Sequence, residues 1–222
     1  MIAFVMAVLL QAQPGATPAP KEGGWLKRHE GFVAAAKTKA DCGLLFLGDS
    51  ITDGWRGKKA VFEAAFGAHK PFNLGISGDR TQHVLWRIQN GEIDGLKPKA
   101  AVIMIGTNNI GQKDPEPAAS AIAGIQAIVA HLKKTTPETK ILLLGVFPRG
   151  EKPDHPLRAV IQEINAAAAK IEGVRFLDIG DKFLQPDKSL AKEIMPDFLH
   201  LSEKGYQIWA DAIKGEVDGL MK

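Results

Sequence analysis

The sequence predicts an α/β fold, a mostly parallel five-stranded sheet with helices on both faces. Three observations predict it. Short apolar runs alternate with longer amphipathic stretches along the chain. The apolar runs lack the polar alternation of a strand with one wet face, so both faces should be covered. Turns rich in Gly, Asn and Ser follow the first three runs, at the strand ends where such sheets bind ligands.

The apolar runs are Leu44–Leu47, Phe72–Leu74, Ala101–Ile105, Ile141–Val146 and Val174–Leu177, each of strand length. Helical stretches surround them. Trp25–Lys37 precedes the first run and Thr81–Gln89 follows the second. Ala118–Lys134 carries Ile122, Ile125, Ile128, Val129 and Leu132 at helical spacing and ends before Pro137. Leu157–Ile171 is Ala-rich with Val160, Ile161 and Ile164. Ser202–Leu220 closes the chain, with Ser202 placed as its N-cap. The strand-helix-strand crossovers should be right-handed.

The 222 residues suffice for one domain with a sizeable core, and no repeat or second composition regime follows Pro20. A net charge of +3 without a dense basic run argues against nucleic acid as a partner. The one cysteine, Cys42, precedes a strongly apolar run and reads as a small core residue. His29, His69, His131 and His155 lack metal-ligand spacing, so no metal is inferred, and no cofactor is called for.

The N-terminus looks like a processing segment. Ile2 to Leu10 is continuously apolar but shorter than the about 20 residues that span a bilayer. Gln11, Ala12 and Gln13 follow, then Pro- and Ala-rich sequence to Pro20, as in a secretory signal, although no Lys or Arg precedes the run. Residues 1–21 are therefore read as an export signal with a disordered Pro/Ala-rich segment, and 22–222 as the domain. Secretion or a periplasmic location is the expectation, with the cytoplasm as the alternative and no stable membrane insertion.

The three strand-end turns are Gly48-Asp49-Ser50-Ile51-Thr52-Asp53, Asn73-Leu74-Gly75-Ile76-Ser77-Gly78-Asp79 and Gly106-Thr107-Asn108-Asn109. A serine hydroxyl needs a base to become a nucleophile, and the base needs an acid to fix its tautomer. Asp197-Phe198-Leu199-His200, just before the last helix, supplies both on one turn. Ser50 is thus the candidate nucleophile, His200 the base and Asp197 its orienting acid. Acyl transfer also needs donors for an oxyanion. The candidates are the backbone N–H groups of Ser50 and Gly78 and the side-chain amide of Asn108.

Each feature alone has an ordinary reading: a turn serine, a surface helix start, a polar loop. Their order and shared strand-end placement favour the catalytic one. Asp49 is read as shaping its turn through backbone hydrogen bonds. Arg149 is read as a surface or loop-fixing residue, with a reach to the strand-end rim as the alternative, and His83 as packed or solvated. Trp55, Trp86 and Trp209 are core or pocket walls.

These residues resemble the blocks of the SGNH (GDSL) hydrolase superfamily: Gly48-Asp49-Ser50, then Gly78, then Asn108, then Asp197-x-x-His200. Within it, Asn73 to Asn109, Phe147 to Pro153 and Asp197 to Leu201 look like the catalytic subunits of intracellular platelet-activating-factor acetylhydrolase. The resemblance implies a flavodoxin-like three-layer α/β/α sandwich and a short-chain, acetyl-sized ester substrate. It also implies that Ile51, Thr107 and Leu199 wall the acyl pocket, and it brings a homodimer into consideration.

Three functions remain in view. The first is a serine esterase acting on small-molecule or carbohydrate esters through an acyl-enzyme. The second is an acyltransferase, in which an acceptor hydroxyl replaces water; product analysis with an added alcohol separates the two. The third is a non-catalytic carbohydrate- or partner-binding module on the same fold, which would leave Ser50 unreactive toward a fluorophosphonate.

Overall fold

The computed structural model describes residues 13–222. The elements run α1 (Gly24–Ala36), β1 (Leu44–Gly48), α2 (Ser50–Asp53), α3 (Lys59–Phe66), β2 (Pro71–Asn73) and α4 (Thr81–Gln89). There follow β3 (Ala100–Met104), α5 (Thr107–Gly111), α6 (Ala118–Thr135), β4 (Lys140–Leu144), α7 (Pro156–Ala168), β5 (Arg175–Leu177) and α8 (Glu203–Leu220). The five strands lie in the order β2-β1-β3-β4-β5, and every pairing is parallel. This is the flavodoxin-like order, and its direction reverses between β1 and β3.

The side-chain period of a strand divides the apolar runs between two cores. Leu45, Leu47, Ala101, Ile103, Ile141 and Leu143 face one side, under α1, α4, α6 and α7. Leu44, Phe46, Ala100, Val102, Leu142 and Leu144 face the other, under α3 and α8. Each helix presents one stripe to its core. In α8 the buried set is Tyr206, Trp209, Ala210, Ile213 and Val217, at spacings of three and four. The expected N-cap is present, with Ser202 Oγ accepting from Gly205 N at 3.2 Å.

The expected strands and helices all form, with no end displaced by more than three residues. One displacement has a visible cause. The apolar run continues to Val146, but β4 ends at Leu144. The Asn165 side chain accepts from Val146 N at 2.8 Å and donates to Val146 O at 3.1 Å, taking that residue out of the ladder. Helix α3 was not anticipated from the sequence. Its length of eight residues and only two buried side chains, Phe62 and Phe66, make its periodic signal short.

The N-terminal expectation needs correction where it can be seen. The run Ile2–Leu10 lies outside the described residues. Residues 13–21, expected to be disordered and outside the domain, are docked on it. Pro14–Ala16 form one 3₁₀ turn. Gly15 N donates to Ser120 Oγ at 2.7 Å, and Thr81 Oγ1 donates to Gly15 O at 2.9 Å, both buried. Ala19 N reaches Gln82 O at 3.3 Å. These contacts satisfy backbone groups that a Pro/Ala-rich segment cannot satisfy within itself. Among the described residues, no helix is long and apolar enough to cross a membrane.

Candidate active site

The turn after β1 places Ser50 at the first position of α2. Gly48 is required there: a Cβ would lie 2.1 Å from Thr52 Oγ1 and 2.4 Å from Met104 O. Asp49 caps the helix, its Oδ1 accepting from Ile51 N at 2.9 Å. Its role in shaping the turn is as expected. The N–H of Ser50, at a helix N-terminus, has no intrahelical acceptor and can serve a ligand. Below the turn, Tyr206 Oη donates to Ile51 O at 2.6 Å, and Trp55 packs with tilted rings against Tyr206 and Trp209 of α8. The same aromatic floor therefore carries the serine turn and the helix that follows His200.

Ser50 Oγ and His200 Nε2 are 2.9 Å apart, although 150 residues separate them in sequence. His200 Nδ1 is 2.7 Å from Asp197 Oδ2. Asp197 Oδ1 also accepts from His200 N at 2.7 Å and Leu199 N at 3.1 Å. Burial works against the Asp197 charge, but the His200 ring and the two backbone donors outweigh it, holding this carboxyl below its usual range. Within this turn Phe198 adopts a left-handed φ of +58°, uncommon for a bulky residue. Gly150 N fastens the strained turn by donating to Phe198 O at 2.9 Å. The three residues stand at the surface, with side-chain exposures of 46% for His200 and 56% for Asp197.

The second and third turns meet beside this chain of hydrogen bonds. Ile76 N donates to Gly48 O at 3.3 Å, tying the second loop to the serine turn. Ile76 to Asp79 form a turn closed by Asp79 N to Ile76 O at 3.2 Å, with Gly78 at φ +76°. This left-handed φ at the third position is the type II signature and favours glycine. Asn108, buried in α5, donates Nδ2 to Asp79 O at 2.9 Å, which leaves its second amide hydrogen unspent. Thr107, just before it, is fixed by Arg149, whose Nη1 donates to Thr107 O at 3.2 Å and Thr107 Oγ1 at 3.1 Å. Arg149 thus reaches the strand-end rim and fixes the turn there. Ile51 is packed in the apolar cluster on the α8 side, and Leu199 lies half-buried against the same cluster.

Sequence reasoning missed what lies behind the second loop. Asp79, Arg87 and Glu92 are fully buried. Arg87 Nε donates to Asp79 Oδ2 at 2.8 Å, and Nη1 donates to Glu92. Trp25 Nε1 donates to Asp79 Oδ1 at 2.6 Å, and His29 Nδ1 lies 3.0 Å from Glu92 Oε1. Burial pushes the Asp79 carboxyl up, and Arg87, Trp25 and Lys21 pull against it. A signal for this network existed. Arg87 sits in the apolar stripe of α4, between Val84 and Ile88, where a charge demands a buried partner. Asn109 was also missed: its Nδ2, with two hydrogens to donate, lies within hydrogen-bond reach of Thr81 Oγ1, Gln82 Oε1 and Glu116 Oε2, locking α4 to the third turn. His83, read as packed or solvated, caps α4 by accepting from Arg80 N at 2.9 Å, and burial lowers its pKa to about 3.

Asp49 carries a pH-dependent load. It is 0% exposed, and its Oδ2 has no hydrogen-bond partner. Burial, above all, pushes its carboxyl up to about 7. An unfolded aspartate titrates near about 3.9. Between those values the folded state holds more protons than the unfolded one, so this group's stabilising contribution is complete below the lower value. It is lost as pH rises through the upper one, at up to about 1.4 kcal/mol per unit. Asp49→Asn keeps the Oδ1 acceptor and removes the titration. Its stability relative to wild type should therefore climb from pH 4 to pH 8 in urea melts. A difference that stays flat across that range would sink the idea.

A cavity of about 580 Å³ lies apart from this centre, lined by Pro148, Arg158, Gln162, Asn165 and Asp178 among others. None of the anticipated site residues lines it.

Comparison with known proteins converges with the geometry. The model of the GDSL-like Lipase/Acylhydrolase family matches residues 46–208. The chain is 39% identical over 186 residues to platelet-activating factor acetylhydrolase IB subunit alpha2 of Rattus norvegicus, covering 82% of this chain and 78% of the relative. It is 35% identical over 205 residues to subunit alpha1 of Homo sapiens, covering 88% and 86%. Among solved structures, an acetylxylan esterase from Geobacillus stearothermophilus, in a catalytic mutant form, superposes with a TM-score of 0.66 at 22% identity, covering 79% of this chain and 93% of that one. That last likeness is one of fold.

Proposed function

The chain belongs to the GDSL-like lipase/acylhydrolase family and is a carboxylic ester hydrolase, and on that premise we propose that it cleaves short-chain O-esters through an acyl-enzyme on Ser50. One observation carries the reading: the unbroken hydrogen-bond chain from Ser50 Oγ through the His200 ring to Asp197.

In this reading Ser50 Oγ attacks the ester carbonyl while His200 Nε2 takes its proton. The N–H groups of Ser50 and Gly78 and the free amide hydrogen of Asn108 receive the oxyanion. Collapse expels the alkoxide, which takes the proton from His200. A water then gives a proton to His200 and attacks the acyl carbon, and the carboxylic acid leaves as Ser50 regains its proton. Asp197 holds the ring in the tautomer that accepts at Nε2 and stabilises the transient imidazolium.

Ile51, Thr107 and Leu199 are proposed as the acyl-pocket walls. They adjoin Ser50, Asn108 and His200 in the chain, and two branched side chains and a threonine beside the acyl carbon favour acetyl over long chains. The acetyl chemistry in the relatives' names supports the same size. The test is a panel of p-nitrophenyl acetate, butyrate and octanoate. Acetate and butyrate should turn over much faster than octanoate. Preferred hydrolysis of octanoate would overturn the small pocket, and a fluorophosphonate that labels no serine at position 50 would overturn the nucleophile.

A further inference from the structure

The docked N-terminal segment ends on the second oxyanion loop. Lys21 Nζ donates to Gly78 O at 2.7 Å and lies 3.5 Å from Asp79 Oδ1. Gln112 Nε2 is the other donor to Gly78 O, at 3.2 Å. The next carbonyl, Asp79 O, is held by Asn108. Two successive carbonyls of the loop are thus clamped, Gly78 O by Lys21 and Gln112 and Asp79 O by Asn108. Upstream, Gly15 anchors the segment: a Cβ there would lie 2.2 Å from Ser120 O, so the segment fits in one close-packed position.

We propose that residues 13–21 are a strap that pre-organises the oxyanion hole, with Lys21 as a positioning residue for Gly78. The inference rests on the esterase reading above. An oxyanion donor acts only within about 2.7–3.1 Å of the developing charge. A loop whose position is set by a left-handed glycine needs external clamps to hold that distance. The Lys21 ammonium is a strong clamp because charge-assisted hydrogen bonds are roughly twice as strong as neutral ones. The bond at Gly78 O is part-buried, so water competes with it weakly. Lys21 touches no expected reacting atom and acts through the loop.

The test uses the full chain and p-nitrophenyl acetate, with the active fraction counted by fluorophosphonate titration. Lys21→Met keeps the apolar stem and removes the donors. It should lower kcat by about 10-fold with KM within twofold, less than the about 10²–10³-fold cost of removing a donor itself in Asn108→Ala. Lys21→Arg should recover most of the loss. A merely structural lysine would lower the melting temperature and leave kcat per titrated site unchanged. Should Lys21→Met not fold, Lys21→Gln, which retains a neutral donor, is expected to fall between wild type and the 10-fold loss. A wild type active on the ester with Lys21→Met or Lys21→Gln at wild-type kcat overturns the strap alone. A wild type inert toward both ester and fluorophosphonate overturns the esterase reading and the strap with it.

Discussion

Ser50→Ala is expected to lower kcat on p-nitrophenyl acetate by on the order of 10⁴-fold or more, with KM little changed. The reason is the 2.9 Å contact with His200 Nε2: the two groups act on the same proton in the same step. His200→Ala should therefore cost about as much, and the double variant no more than either single one. The comparison discriminates between mechanisms. If His200 merely bound substrate, the two losses would multiply. Residual turnover of Ser50→Ala within 10-fold of wild type would remove the nucleophile assignment. The half-exposed Asp197 carboxylate orients the ring from the water-facing side, so Asp197→Ala should fall less far than the other two.

The largest stability effect should come from a residue that touches no substrate. Arg87 is fully buried and bonds both Asp79 and Glu92, which are themselves fully buried. Arg87→Leu would leave two interior carboxylates without the cation they share. Breaking a buried pair in this way costs about 3–5 kcal/mol, because the remaining charge is uncompensated. Urea denaturation should show a lower midpoint with unchanged slope. Combining Arg87→Leu with Asp79→Asn and Glu92→Gln should recover part of the loss, since the stranded charges are gone. A single Arg87→Leu variant within 1 kcal/mol of wild type would show that the network is not what holds α4 to the second loop. The folded fraction of Arg87→Leu should also turn over more slowly, because Asp79 adjoins Gly78.

The sequence was most legible where neighbouring residues carry the information. Continuous apolar runs such as Leu44–Leu47 mark strands because burial on both faces leaves no place for polar alternation. The helix over Ala118–Lys134 announces itself through five apolar residues at its own period. Helix α3 escaped notice because eight residues with two phenylalanines define no stripe. The Pro/Ala-rich segment reads as disordered because its composition describes its own poor ability to form a core. Its order comes from Ser120 and Thr81, which lie far along the chain.

The same division separates what each source decided. The sequence by itself determined the fold class and the chemical inventory: a serine, a histidine, an aspartate, a glycine and an asparagine at strand ends or beside the last helix. Residue type and local spacing suffice for that. Only the tertiary structure decided that Ser50 and His200 touch across 150 residues, that Asp79, Arg87 and Glu92 are buried together, and that Lys21 clamps Gly78. Burial and hydrogen-bond partnership are properties of what packs around a group. A charged residue reads the same in sequence whether it faces water or a partner brought to it by the fold.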